Sequence, residues 1–306
     1  MRLRVLFCST LVCSLVLFEG QVKSRSVPTT AATEIPHLRK QGTATQLIVD
    51  GKPFLALTGE LTNNAAADLE YMKRAWPKLV ETKLNSVLAA VSWAQIEPQE
   101  GKFDFGVLDG VIQGARIHNL RLVLLWFGSW KNGESTYVPD WVKTDFERFP
   151  LLQRVEGRSA EVLTPFSDAN RDADARAFAA LMRHIKAVDG QQHTVVMIQV
   201  ENEIGALDRS PVARKAFEGP VPKELMDYLQ QRKDTLIPEL RQVWEAAGFK
   251  TSGTWEEVFG KGGATDEIFM SWYFARYVNR VAESEGHPAR NAVPLPLSAR
   301  TPILRK

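Results

Sequence analysis

Cysteine is almost absent from this chain: among 306 residues only Cys8 and Cys13 carry a thiol. Two cysteines cannot build a disulfide scaffold. Histidine is scarce too. His37, His118, His184, His193 and His287 are scattered without the short spacings of metal ligands, so no metal and no cofactor is expected. A strong charge of either sign is missing as well. The net of +2 is too small for a nucleic-acid binder, and no nucleic-acid partner is expected. No G-x-S-x-G elbow is present for a serine hydrolase. Gly260-Lys261-Gly262-Gly263 lacks the Ser or Thr of a phosphate loop, and no strand leads into it. What remains is an ordinary globular balance, 44% hydrophobic and 24% charged, enough to bury a sizeable core. One α/β barrel would fit this length, since such barrels take about 250 residues.

The N-terminus is a special case. Met1-Arg2-Leu3-Arg4 precedes an almost wholly apolar run, Val5 to Phe18. A basic start and a short apolar stretch predict a secretory signal peptide over residues 1–26, with a buried core helix as the competing reading. The run is shorter than the ~20 residues of a spanning helix, so no membrane association is expected after cleavage. The implied location is secreted or periplasmic. Removing 1–26 takes away Arg2, Arg4, Lys23 and Arg25 together with Glu19, a net loss of three positive charges that turns +2 into −1. Both cysteines leave as well, which excludes thiol catalysis and cysteine-ligated metals in the mature chain.

Residues 27–45, rich in Thr, Ala and Pro, read as a linker. From Gln46 the chain alternates. Leu47-Ile48-Val49 and the turn Asp50-Gly51 predict a hairpin-like entry, followed by a short buried strand over 53–59. Leu69, Met72, Trp76, Leu79 and Val80 fall at helical spacing, with Pro77 expected to kink that helix. Strands follow at 86–91, 121–126 and 194–200. Between them lie amphipathic helices, one at about 105–118 and one carrying Phe178, Leu181, Met182, Ile185 and Val188 on one face. Near-continuous apolar strands alternating with such helices predict parallel βαβ units. After the fourth strand only helices are expected, near 222–233, 238–247 and 265–284. Residues 286–306 hold four prolines and no strand-like run.

Four motifs could carry chemistry. Gln199-Val200-Glu201-Asn202-Glu203-Ile204-Gly205 delivers Asn-Glu at the C-terminal end of an apolar strand, where parallel sheets place their sites. A partly desolvated carboxyl there suits a general acid; a polar strand end capping the next helix is the bland alternative. Trp93-Ala94-Gln95-Ile96-Glu97-Pro98 follows the second strand and reads as structural except for Trp93 and Gln95. Trp126-Phe127-Gly128-Ser129-Trp130-Lys131-Asn132 ends the third, where rings could meet the apolar faces of sugars or pack in the core. Thr58-Gly59-Glu60-Leu61 puts a carboxylate on the same rim.

In order and kind these motifs, with Gly101-Lys102-Phe103-Asp104-Phe105 and Val138-Pro139-Asp140-Trp141, resemble glycoside hydrolase family 35, the β-galactosidases, with family 42 as a near relative. The resemblance covers residues 46–205. It implies a (β/α)8 barrel of which only the first four β/α units are present, over residues 46–285. It also implies retaining β-galactosidase chemistry on a carbohydrate substrate. Glu203 matches the family's acid/base and Asn202 the residue that binds the sugar 2-hydroxyl. Glu60, Trp93, Trp126, Trp130 and Asn132 are the other expected substrate-binding residues. Two positions depart from the family: Ala90 stands where a tyrosine is usual, and Asn132 where a second carboxylate is usual. The nucleophile of such enzymes sits at the end of strand seven, and no residue here matches it. Glu201 is at best a buried partner, on the same side as Glu203 if the strand period of two holds. The expectation is therefore an N-terminal half of a longer enzyme, truncated or frameshifted near residue 285, with open sheet edges prone to self-association. The competing class is a non-catalytic carbohydrate-binding or degenerate half-barrel that uses Trp93, Trp126 and Trp130 as a sugar platform.

Overall fold

The computed structural model describes residues 34–285. The signal peptide expected at 1–26 and the irregular tail expected at 286–306 lie outside the described residues. The chain begins with a three-stranded antiparallel meander, β1 (His37–Gln41), β2 (Ala44–Val49) and β3 (Lys52–Pro53). β1 pairs with β2 from His37↔Ile48 to Gln41↔Ala44, and Gly42 (φ +60°) makes the turn. The linker expected at 27–45 is thus corrected from His37 onward. Four of the five β1 residues are exposed. Composition does not reveal an edge strand whose side chains stay in water; β2 recruits it through the backbone, anchored by buried Ile48 and Val49.

The centre is a four-stranded sheet of β4 (Thr58–Glu60), β5 (Ser86–Ser92), β6 (Arg121–Phe127) and β9 (Val195–Val200), in that order and all parallel. The first strand is later and shorter than expected, because Leu55 and Leu57 are exposed. The crossovers are helical. α1 (Leu69–Glu81) starts at Asp68, whose carboxylate accepts the Glu70 and Tyr71 amides at 2.9 and 3.0 Å. It continues through Pro77 to Glu81, where the lost N–H is offset by the burial of Met72 and Trp76. A short turn, α2 (Trp93–Ile96), carries a Ser92/Gln95 capping box, and α3 (Gly106–Ile117) buries Leu108, Val111, Ile112 and Ala115.

The connection after β6 contains α4 (Asp140–Lys143) and a hairpin, β7 (Leu151–Gln153) with β8 (Ser159–Leu163), that the sequence pattern did not announce. α5 (Asp168–Asp189) follows, 22 residues long. After β9 come α6 (Pro211–Glu218), α7 (Lys223–Arg232), α8 (Pro238–Ala246), α9 (Trp255–Phe259) and α10 (Gly263–Ala282). α6 and α9 were not expected; α9 owes its start to a Thr254/Glu257 capping box. Among the described residues no helix is long and apolar enough to cross a membrane.

The two faces of the sheet differ. Val87, Ala89, Val91, Leu122, Leu124 and Trp126 point into the main core with α3 and α5. Each valine and leucine among them contributes ~1.5–3 kcal/mol on full burial. The other face holds a small cluster of Ala90, Leu125 and Phe127, with Leu88 and Tyr137 against it. Next to that cluster Met197 is 43% exposed. The C-terminal strand ends therefore form a rim between a packed face and a lightly covered one.

Candidate active site

Two loops meet on the rim. The segment after β6 runs Gly128 to Asn132, and the one after β9 runs Glu201 to Glu203. The Asn202 amide donates to the Trp130 carbonyl at 3.3 Å, and Asn202 Nδ2 donates to the Lys131 carbonyl at 3.0 Å. Gln199 Nε2 donates to Asn202 Oδ1 at 2.6 Å and to the Glu201 carbonyl at 2.9 Å. Lys131 Nζ then reaches Glu203 Oε2 at 2.8 Å. The sequence placed Asn202 and Glu203 in one motif. The structure adds Gln199 and Lys131 as the groups that hold them.

The strand period does not survive past Val200. Glu201 has φ +63° and Glu203 φ +41°, left-handed conformations that are uncommon for residues other than glycine and cluster at functional sites. The expectation that both carboxylates share one side is corrected by these two turns of the backbone. Glu201 is 2% exposed, whereas the Glu203 side chain is 62% exposed. Glu201 Oε1 accepts the Ser129 amide at 3.0 Å, and Oε2 accepts the Trp130 amide at 2.8 Å. Asp174 of α5 stands beside it and takes the Trp126 indole N–H at 2.9 Å and the Ser129 hydroxyl at 2.6 Å. Burial, and then the neighbouring Asp174, push the Glu201 carboxyl well above the usual carboxylate range. Tyr277 of α10, 2.6 Å from Ser129 Oγ, is pushed up first by its own burial and then by both carboxyls. Gly128 is required here, because a Cβ would collide with Glu201 Oε1, Trp126 Nε1 and Asp174 Oδ1.

The tryptophans expected at the sugar site are elsewhere. Trp93 is fully buried and donates to Glu97 Oε2 at 2.8 Å, with Trp141 packed edge-on at 5.8 Å. Glu97 also accepts the Gly101 amide at 2.8 Å, so the conspicuous Glu-Pro turn is a loop anchor. Trp126 is fully buried against Phe178. Trp130 donates to the Leu163 carbonyl at 3.0 Å and packs on Phe274 and Tyr277. A ring with no exposed face cannot stack on a sugar, so all three are core residues in this structure, and the tryptophan platform is corrected. Gln95 is a helix cap. Asn132 folds back on its own loop, its Oδ1 accepting the Glu134 and Ser135 amides at 2.9 Å each. Glu60 is exposed and ends β4, in register with Leu88. β4 is the strand farthest from β9 in the four-stranded sheet, and no hydrogen bond or ion pair joins Glu60 to the β9 strand end among the described residues.

Asp174, Ser129, Lys131 and Tyr277 were missed as site residues. Asp174 had a readable signal: it lies four residues before Phe178, on the apolar face that continues through Leu181 and Ile185, and a carboxylate on a buried face needs a partner. Among the described residues no group of three or more His, Cys, Asp and Glu is placed to hold a metal.

A strand-end Asn-Glu on a parallel-sheet rim can now be set beside known proteins. A curated β-galactosidase of Xanthomonas manihotis is 30% identical over 190 residues, 59% of this chain and 29% of that protein. Among solved structures, the cold-adapted β-galactosidase of Rahnella sp. R3 matches at 17% identity and TM-score 0.49, covering 75% of this chain and 34% of that one. The β-galactosidase of Halorubrum lacusprofundi matches at 19% identity and TM-score 0.48, with 76% and 34% covered. The chain thus spans about a third of the length of these relatives. The sequence motifs put family 35 first and family 42 second; the family model that matches, over residues 63–260, is that of the family 42 β-galactosidases. The chain belongs to glycoside hydrolase family 42.

Proposed function

We propose that this chain carries the acid/base half of a retaining β-galactosidase site that acts on terminal β-galactosyl residues of oligo- or polysaccharides. The observation that carries the reading is Glu203. It is the carboxylate that the β9 strand end leaves open to solvent, next to an Asn202 fixed by Gln199 and the Lys131 carbonyl. In this chemistry two carboxyl groups flank the scissile bond about 5–5.5 Å apart. Glu203 donates a proton to the departing glycosidic oxygen, the second carboxylate attacks the anomeric carbon, and Glu203 then takes a proton from the water that releases the sugar. Lys131 Nζ, 2.8 Å from Glu203 Oε2, orients that side chain. Asn202 Nδ2 and Oδ1 are directed by neighbours rather than left to rotate, which suits a residue that must meet one sugar hydroxyl. The nucleophile on this reading comes from outside residues 34–285, in keeping with the share of its relatives' length that the chain spans. Export to a periplasm or extracellular space is part of the same proposal and rests on the Val5–Phe18 run.

Chemical rescue tests it. The purified chain is expected to turn over a nitrophenyl β-galactoside slowly. Azide, acting as an external nucleophile from the opposite face, should raise the rate and yield the α-galactosyl azide. On an alkyl β-galactoside, whose departing oxygen needs the proton that a nitrophenolate does not, Glu203→Gln should remove that gain by roughly 10²–10⁴-fold. Robust turnover without azide would show that the chain contains its own nucleophile. Rescue on the alkyl substrate that persists in Glu203→Gln would take the acid/base role away from Glu203.

A further inference from the structure

Glu201 is buried two residues before the exposed Glu203, and the proposed reaction has no step for it. Four polar hydrogens converge on it and on Asp174. The Ser129 amide is shared between Glu201 Oε1 and Asp174 Oδ2 at 3.0 Å each. The Trp130 amide reaches Glu201 Oε2 at 2.8 Å, the Trp126 indole reaches Asp174 Oδ1 at 2.9 Å, and Ser129 Oγ reaches Asp174 Oδ2 at 2.6 Å. These donors are all neutral. From α5 the group facing the pair is Asp174 itself; Arg171, whose charge acts on Tyr277, is engaged by Asp168 and Asp172. From α10 the facing group is Tyr277, bonded to Ser129 Oγ. The two carboxyls stand side by side, since one Ser129 amide reaches both. Two buried carboxylates at contact, met by neutral donors, cannot both keep their charge.

We propose that Glu201 and Asp174 share one proton, and that this singly charged pair seats the 128–132 loop so that its carbonyls and Lys131 fix Asn202 and Glu203, which makes Glu201 a positioning residue for the acid/base. The path is continuous. Glu201 takes the Ser129 and Trp130 amides; the next two carbonyls, of Trp130 and Lys131, hold the Asn202 amide and Nδ2; and Lys131 Nζ holds Glu203. Loss of the shared proton would set two charges against each other under Gly128, which has no room to move toward them. The left-handed turns at Glu201 and Glu203 are held by this clamp, since each would otherwise relax. That Glu203 is the acid/base rests on the reading above; the shared proton does not.

The test is carbon-13 NMR of side-chain carboxyls in the full chain at neutral pH, with Glu201→Gln and Asp174→Asn used for assignment. One carboxyl of the pair is expected upfield, in the protonated range. Two ionised signals would overturn the proposal. Glu201→Gln keeps a donor toward Asp174 and an acceptor for Trp130, so the Asn202 and Glu203 amide resonances should stay within the range of the parent chain. In Glu201→Ala both should shift together with those of Ser129 and Trp130. Asn202 and Glu203 amides that ignore Glu201→Ala would reduce Glu201 to a packing residue. If Glu201→Ala fails to fold, Asp174→Asn against Asp174→Ala gives the same comparison from the other side. Absence of azide rescue, with these signals as expected, would count against the galactosidase reading and leave the clamp standing.

Discussion

Two glutamates separated by one asparagine end in opposite environments. Glu201 sits at the bottom of the rim, capped by two backbone amides and pressed against a second carboxyl. Glu203 stands in solvent with one ammonium for company. The sequence Glu-Asn-Glu contains nothing that separates them. The separation comes from two left-handed residues at the end of a parallel strand and from a helix, α5, that brings Asp174 to one of them and not the other. One residue is therefore bound to the fold and the other is free for chemistry. The largest test of that contrast is stability. Glu201→Ala leaves the buried Trp130 amide without its acceptor and takes away the partner of Asp174, which should cost about 3 kcal/mol. Glu203→Ala should stay within about 0.5 kcal/mol of the parent chain. Urea unfolding of both would settle it, and equal losses would dissolve the distinction.

Gly128 sharpens the same point from the opposite strand. A methyl group there meets the Glu201 and Asp174 oxygens and the Trp126 indole at once. Gly128→Ala should lose about 2 kcal/mol by overpacking, with the near-ultraviolet signal of the buried tryptophans altered. A neutral effect would mean that the clamp is looser than its distances.

The pH dependence singles out the buried glutamate. Burial and Asp174 raise the folded-state value for Glu201 above its unfolded one. Its contribution to stability is thus fully present below about pH 4.5 and is lost as pH rises through the folded value. One such proton gives a slope of at most about 1.4 kcal/mol per pH unit. Glu203→Gln should keep that decline and Glu201→Gln should flatten it, as unfolding at a series of pH values would show. Identical slopes in both variants would place the linked proton elsewhere.

What could be read from the sequence follows the same physical divide. β5, β6 and β9 were legible because their apolar runs are buried on the helix-covered face, and α3 and α5 because their stripes recur at helical spacing. β1 was not, since a strand whose side chains stay exposed is specified by backbone pairing and not by pattern, and β7 and β8, three and five residues long, are too short for a pattern to stand out. At the site, Asn202 and Glu203 were legible as a strand-end motif. The error lay with Trp93, Trp126 and Trp130. A tryptophan beyond a strand looks the same whether its ring faces a sugar or a core, and only the positions of Glu97, Asp174 and the Leu163 carbonyl decide it. Each of the three indoles finds a buried acceptor, which a ring offered to solvent would not need.

The smallest expected effect belongs to Lys131. Its ammonium joins the two loops through Glu203, yet the Glu203 side chain is largely in water, and an exposed ion pair is worth ~0.2–1 kcal/mol. Lys131→Met should therefore lower stability by less than about 1 kcal/mol, and most of that loss should vanish at high salt, where such pairs are screened. A double-mutant cycle with Glu203→Gln isolates the pair, and a cycle with Glu201→Gln asks whether Lys131 reports on the buried clamp. Coupling of a few tenths of a kcal/mol to Glu203, and less to Glu201, fits a lysine that orients the exposed carboxylate while the loop beneath it is fixed by other groups. Stronger coupling to Glu201 than to Glu203 would reverse that order and make Lys131 part of the clamp itself.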